Sequence, residues 1–359
     1  MDRTTIIQPC TEARGVWLGV ALGLASILAI ILLLEIPADA ASAAPSAAQP
    51  SAETIQAPAT PATTLLVGTN AEFWPMEYIS GTQIVGHDID LMNAIAAEIS
   101  VTVVYTNVSW DDLFQGLIAG EHDLIISTVS IVPARQELFD FTLPYVAFHV
   151  DDIIGIGVQQ GDTVLRRQLN EALWQLRNDG TLGTIVADIA ADVPEWQPHL
   201  PDWPYIQPDV GGTVVYTDTE ECSTIIQVPG DALTETILLA YTPVHTATAP
   251  SGFSFADRAF DLDVYRDGVY LSSSLSLSVP ATVTIHYNYT DVVGLDETSL
   301  LLEYWDEPTS AWEDATCGPY DGHPDEDWLS VPICHLSRFA LFGRAAYTIY
   351  LPLVVRNTP

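Results

Sequence analysis

Ile126-Ser127-Thr128-Val129-Ser130-Ile131-Val132-Pro133-Ala134-Arg135 decides how the first half of this chain is read. A strand-like run ends in small hydroxyl residues, and Pro133 stands where the first turn of a helix accepts proline best. Backbone N–H groups at such a turn can face an anion. Arg135 is the only lysine or arginine between Thr63 and Val150, in a segment rich in Asp and Glu. A guanidinium fork matches a carboxylate bidentately, so this placement points to anion capture. The plainer alternative is a surface pair between Arg135 and Glu137 or Asp140.

Upstream of this stretch, Thr64-Leu65-Leu66-Val67 reads as a strand that leads into Gly68-Thr69-Asn70 and the aromatic turn Phe73-Trp74-Pro75. Ile89, Met92, Ile95, Ala96 and Ile99 recur at helical spacing. Val101 to Val108 is β-branched and strand-like. Ser109 with Asp112 is a helix-start signal, and the helix that follows is expected to turn Leu113, Leu117 and Ile118 inward before Gly120 stops it. Strands alternating with helices at these lengths argue for a mainly parallel sheet covered on both faces, with ligands gathering at the strand carboxyl ends.

These residues resemble the family 3 extracellular solute-binding proteins, the amino-acid receptors of ABC importers. The resemblance rests on Val67-Gly68-Thr69-Asn70 to Tyr78, Ile84 to Leu91, Trp110-Asp111-Asp112-Leu113, Asp123 to Ile126, Ser130, Arg135 and Phe139 to Tyr145. It implies an α/β lobe of the periplasmic-binding-protein type II fold in which Arg135 clamps a ligand α-carboxylate. Ser130 and Thr128 would be additional donors, and the Ser127 carbonyl would face the α-amine. Phe73 and Trp110 fall on the two positions that sandwich the ligand side chain. Asn70 replaces an aspartate common at its position, which favours a neutral amino acid.

After Tyr145 the chain departs from the family pattern. The short bridge Ala147 to Asp152 leads directly into Ile153-Ile154-Gly155-Ile156-Gly157-Val158, which resembles the strand that returns from a second lobe. The closing helix follows through Leu165, Leu169, Leu173 and Leu176 to Gly180, and Thr181 to Ile189 looks like the final helix. The second lobe is therefore expected to be missing, leaving residues 63–200 as a single lobe with an exposed half-site. A six-residue bridge reaches about 20 Å, enough to join the two crossovers.

Beyond a proline-rich connector at 201–210, helical spacing disappears. Short strand-like runs from Thr213 to Trp305, separated by Gly, Pro and Asp turns, indicate an all-β sandwich over 211–344. Val228 to Thr234, Val283 to Tyr287 and Cys334 to Leu341 resemble a ZU5-like secreted β-domain. Cys317 and Cys334 are expected to form a disulfide, leaving Cys222 unpaired as a small buried apolar residue. Asp321, His323, Asp325 and Glu326 read as a solvated acidic loop, so no metal is expected. The apolar tail, 345–359, either completes the sandwich or acts as a surface signal.

Arg3 and Arg14 precede an apolar run, Gly15 to Leu34, followed by Ala38-Asp39-Ala40 and Ala41-Ser42-Ala43, which suit signal peptidase. Residues 1–40 thus read as a signal peptide or as an uncleaved anchor helix, followed by an Ala/Pro/Ser-rich linker at 41–62. In either case the bulk of the chain is exported to the periplasm, the cell surface or the medium, and it meets the membrane only through such an anchor. With 47 acidic residues against 11 arginines and no lysine, the net charge of −36 excludes nucleic-acid binding and lysine-based covalent catalysis. No H-E-x-x-H, G-x-S-x-G or P-loop is present, so no enzyme and no cofactor are expected. The reading favoured is recognition of a small amino-acid-like solute, with an ABC transporter permease as the implied protein partner. A structural or adhesive surface protein is the first alternative and an envelope hydrolase the second.

Overall fold

The computed structural model describes Cys10 and residues 63–149, 152–271 and 275–346. The expected signal or anchor helix, the 41–62 linker and the apolar tail from Tyr347 onward lie outside the described residues. Among the described residues no helix is long and apolar enough to cross a membrane.

The first region runs β1 (Thr64–Thr69), β2 (Glu72–Phe73), β3 (Glu77–Ser80), β4 (Gln83–Val85), α1 (His87–Glu98), β5 (Thr102–Asn107), α2 (Trp110–Ala119) and β6 (Leu124–Ser130). It continues through α3 (Pro133–Gln136), β7 (Asp140–Phe141), β8 (Val146–Phe148), β9 (Asp152–Val158), α4 (Thr163–Asn178) and α5 (Thr181–Asp192). Its main sheet has the order β5-β1-β6-β9-β7, with β8 also paired to β9. The pairs β1/β5 and β1/β6 are parallel. Every pairing of β9 is antiparallel, so the sheet is mixed where a mainly parallel one was expected. The physical reason lies in the bridge: β8 and β9 form a tight hairpin with Phe148 opposite Asp152, and a hairpin connection forces antiparallel pairing.

The helices form where the apolar spacing and caps predict. Ile89, Met92, Ile95 and Ala96 are buried on α1, and Leu165, Leu169, Leu173 and Leu176 on α4. Each such Ile, Leu or Met side chain contributes about 1.5–3 kcal/mol when fully buried. The Ser109 hydroxyl caps α2 by accepting from Asp112 N at 3.3 Å, and Gly120 ends it in the left-handed conformation. Leu113 and Leu117 face inward, whereas Ile118 is exposed, one step off the buried stripe.

The second region begins with the short strand β10 (Tyr205–Ile206), followed by β11 (Gly212–Thr217), β12 (Ser223–Val228), β13 (Ile237–Val244), β14 (Ser254–Arg266) and β15 (Val269–Tyr270). Then come β16 (Leu275–His286), β17 (Leu295–Asp306), β18 (Ala311–Asp314), β19 (Asp321–His323), β20 (Trp328–Leu336) and β21 (Arg338–Ala345). One sheet has the order β10-β13-β14-β21-β17-β18, and the other β11-β12-β16-β20-β19. Phe260, Phe339 and Leu341 from the first sheet share a core with Ile226, Val283 and Val331 from the second. Cys317 and Cys334 are joined by a disulfide, as expected. Cys222 is corrected: it is bonded to Cys10, a residue so distant in sequence that spacing gave no sign of the pairing.

The two regions are packed directly together. Trp203, Leu238, Ala240 and Tyr265 belong to the same apolar cluster as the lobe's Val67, Ile126 and Leu169. Segment 201–210, read above as a linker, contributes the buried Trp203, whose Nε1 donates to the Pro144 carbonyl at 2.9 Å. Trp174 of α4 lies against Gly268 at the β14–β15 turn, where the backbone is left-handed and a side chain would collide with the indole.

At the centre of this interface Arg166 of α4 is only 1% exposed and reaches Asp140 of the lobe at 3.2 Å and Asp261 and Asp263 of β14 at 3.2 and 2.9 Å. Arg167 also pairs with Asp263 at 2.8 Å, and Arg338 with Asp261 at 2.6 Å. Removing one partner of a buried ion network leaves uncompensated charge. Arg166→Met is therefore expected to lower the unfolding free energy by about 3–5 kcal/mol, measured by urea denaturation, with Arg167→Met, at a partly exposed site, costing clearly less.

Candidate functional site

A cleft of about 570 Å³ opens at the carboxyl ends of β1 and β6, lined by Asn70, Phe73, Glu77, Trp110, Ser127, Thr128 and Ser130, with Glu72, Phe148, His149, Asp152 and Trp196. Six of the seven residues expected in the ligand site are therefore brought together here. Arg135 is the exception: it stands beside the cleft on α3, not on its wall.

The floor of the cleft is a buried polar hub. Gly86 holds a φ of 130°, where a side chain would strike the Met76 carbonyl, and this close approach brings the start of α1 against Pro75 and Met76. Asp88 thereby points beneath β6 and accepts from Thr128 N at 2.6 Å, from the Thr128 hydroxyl at 3.1 Å and from the Tyr145 hydroxyl at 2.7 Å. Thr128 sits at φ 49°, a left-handed conformation uncommon for a β-branched residue, and the two bonds from Asp88 hold it there. Next to it the Ser127 hydroxyl donates to Glu77 at 2.6 Å and accepts from Asn70 N at 3.0 Å.

This hub redistributes the roles read from the sequence. The N–H and hydroxyl of Thr128 and the hydroxyl of Ser127 are already engaged inward. Ser130 makes no side-chain hydrogen bond among the described residues, so its hydroxyl is the open donor of the group. The Asn70 side chain donates to the Val108 carbonyl at 2.8 Å and ties the ends of β1 and β5 together. Arg135 donates from Nη1 to the Ser130 carbonyl at 2.8 Å, and its guanidinium lies 5.6 Å from the Trp110 ring centre and 5.2 Å from that of Phe114. Burial lowers its pKa from the usual value while the charge of Asp152 acts against this. Four of its five N–H donors have no partner among the described residues.

Phe73 and Trp110 both line the cleft but do not stack on each other. Trp110 meets Phe114 edge-on and Arg135 on its ring, while Phe73 stacks on Trp196. The second region reaches this side of the lobe as well: His245 Nε2 donates to the Gln136 carbonyl of α3 at 2.8 Å. Sequence reasoning passed over Glu77, Asp88 and Tyr145 as site residues. The available signal was a pair of carboxylates set among apolar positions, at Met76-Glu77 and Asp88-Ile89.

Burial, then the neighbouring negative charge of Asp88, raises the Glu77 pKa far above its ordinary 4.5. Burial raises Asp88 too, but hydrogen bonds from Tyr145, from the Thr128 N–H and hydroxyl and from Glu77 oppose the rise, so Glu77 is the member that keeps its proton. The folded state then binds more protons than the unfolded chain between about pH 4.5 and about pH 10; this contribution to stability is full below that window and is lost as pH rises through it. Glu77→Gln, which mimics the protonated acid, is expected to flatten the decline: the variant gains on the parent between pH 5 and pH 8, read as the difference in urea midpoint.

Comparison with known proteins follows the same residues. Residues 65–189 match the bacterial extracellular solute-binding proteins, family 3. A probable histidine-binding protein of Neisseria gonorrhoeae is 35% identical over 97 residues, which cover 27% of this chain and 35% of that protein. A putative ABC transporter arginine-binding protein 2 of Escherichia coli (strain K12) is 32% identical over 120 residues, covering 29% of this chain and 49% of that protein. The chain thus spans less than half the length of these two relatives. Among solved structures, the arginine-bound form of domain 1 from TmArgBP is 33% identical with a TM-score of 0.30, covering 32% of this chain and 93% of that one. Over residues 65–189 the chain belongs to the family 3 bacterial extracellular solute-binding proteins.

Proposed function

We propose that the lobe captures a small amino-acid-like solute outside the cytoplasm in an open half-site, as an ABC-importer-type receptor or a derivative of one, without catalysis. The observation that carries this reading is the cleft itself. Ser130 presents an unengaged hydroxyl at a strand end, and Arg135 beside it keeps most of its donors free for an anion. The hub below immobilises Ser127 and Thr128, so the donors above it are pre-organised. Relatives named for histidine and arginine binding support an amino acid as the ligand.

The short β8–β9 hairpin takes the place where a second lobe would emerge. Closure of two lobes over a ligand excludes water and strengthens each polar contact. An open half-site forgoes that gain and binds weakly unless another protein covers it, for which the permease of an importer is the natural candidate. The sandwich, braced on α4 and α3, supports the lobe.

Calorimetric titration of the full chain with a panel of amino acids and their decarboxylated amines tests this reading. Binding is expected only for ligands that carry the carboxylate. Arg135→Ala should weaken it by about 10- to 100-fold, the range for a hydrogen bond to a charged group, and Ser130→Ala by less. Absence of heat with every ligand would overturn the proposal.

A further inference from the structure

The sandwich has a cavity of its own beside the lobe. It measures about 350 Å³ and opens between Tyr216 and Thr224 of one sheet and Tyr241, Pro243 and Phe260 of the other, while Glu137, just past α3 of the lobe, also lines it. Its aromatic wall is the end of a stack. Tyr216 lies on Tyr241 with ring centres 4.8 Å apart, Tyr241 on Phe260 at 5.1 Å and Phe260 on Phe339 at 5.5 Å. Tyr216 is the terminal, half-buried ring, and among the described residues no other ring and no arginine lies against it.

Five carboxylates line this cavity, Glu137, Asp218, Glu220, Asp257 and Asp291, against a single arginine, Arg258. Arg258 bridges Asp218 and Asp291, so Glu137 and Asp257 have no cation partner among the described residues. Asp218 also accepts from Glu220 N at 2.9 Å and Cys222 N at 2.8 Å, Asp291 from Asn288 N at 2.8 Å, and Glu137 from the Thr219 hydroxyl. Three of the five thus spend acceptors within the protein, while the negative charge remains. The Tyr216 hydroxyl registers that field: burial, then the charge of Asp218 with Glu137 adding to it, pushes its pKa above the usual value although Arg258 opposes the rise. The carboxylates do not converge, and among the described residues no three acidic, histidine or cysteine side chains are placed to hold a metal ion. A primary ammonium or a guanidinium would leave N–H donors short of partners here. A cation without N–H groups has no such need, and it is drawn to an aromatic face by the negative potential of the ring. We infer that this cavity binds a quaternary ammonium group of the choline type, its methylated head over the open face of Tyr216 and its charge balanced by Glu137 and Asp257. None of the residues that line the cavity lines the cleft at β1 and β6, so the inference stands independently of the reading above.

The test is titration calorimetry on the full chain at fixed ionic strength with choline and with its uncharged isostere, in which a quaternary carbon replaces the nitrogen. Saturable binding is expected for choline and for tetramethylammonium but not for the isostere, and ethanolamine, with N–H donors to place, is expected to bind more weakly than choline. Tyr216→Ala should weaken choline binding by about 2- to 30-fold, the span of cation–aromatic attraction, and Tyr216→Phe should retain most of it. Glu137→Gln and Asp257→Asn, both at exposed positions outside the aromatic stack, should each weaken it too, so the outcome does not hinge on how Tyr216→Ala folds. Asp152→Asn, in the lobe cleft, should leave choline binding as it is. Absence of saturable choline binding would overturn the inference, as would equal binding of the isostere or of ethanolamine. Loss of binding in Asp152→Asn with no change in the Tyr216, Glu137 and Asp257 variants would overturn it as well, by assigning the ligand to the lobe cleft.

Discussion

Arg166 is a cation with almost no access to water, and three carboxylates from two regions of the chain converge on it. Burial disfavours its charge, yet Asp263, Asp140 and Asp261 more than reverse that effect. An arrangement of this kind is strongly coupled: each member is tolerable only while the others are in place. It joins α4 and β7 of the lobe to β14 of the sandwich, and Arg167, Asn170 and Glu171 extend the joint along the same helix face to Asp263, Tyr265 and Tyr270. In a chain with so few arginines, four of them lie at or beside this joint: Arg166, Arg167, Arg177 and Arg338.

The joint has consequences for the cleft. The sandwich covers α4, Pro144 and the end of α3. The His245 bond to Gln136 falls on the residue after Arg135, so the position of Arg135 depends on the second region as well as on its own helix.

Inside the lobe, a single negative charge shared by Glu77 and Asp88 organises the strand end. It holds Thr128 in a conformation the residue would not adopt alone and fixes the hydroxyl of Ser127. Below the cleft the donors of Ser127 and Thr128 are engaged inward, while the Ser130 hydroxyl and most of the Arg135 donors remain open.

Much of this was legible in residues 63–200 taken as a string. Helical spacing on α1 and α4, the Ser109 cap and the Gly120 stop are local, and they depend on side-chain volume and backbone preference that neighbours in sequence decide. The alternating strands of the sandwich and the Cys317–Cys334 pair, close in sequence, were legible for the same reason. The Cys10–Cys222 bond, the Arg166 network and the stacking of Trp196 on Phe73 were not. Each joins residues whose proximity is created by chain crossings many residues apart, and no periodicity records such a crossing. Sequence alone determined which elements form and which hydroxyls and arginine stand at the strand end. Tertiary structure decided which of those groups are engaged with buried carboxylates and which remain free, because the desolvation that forces polar groups to find partners exists only once the chain is packed.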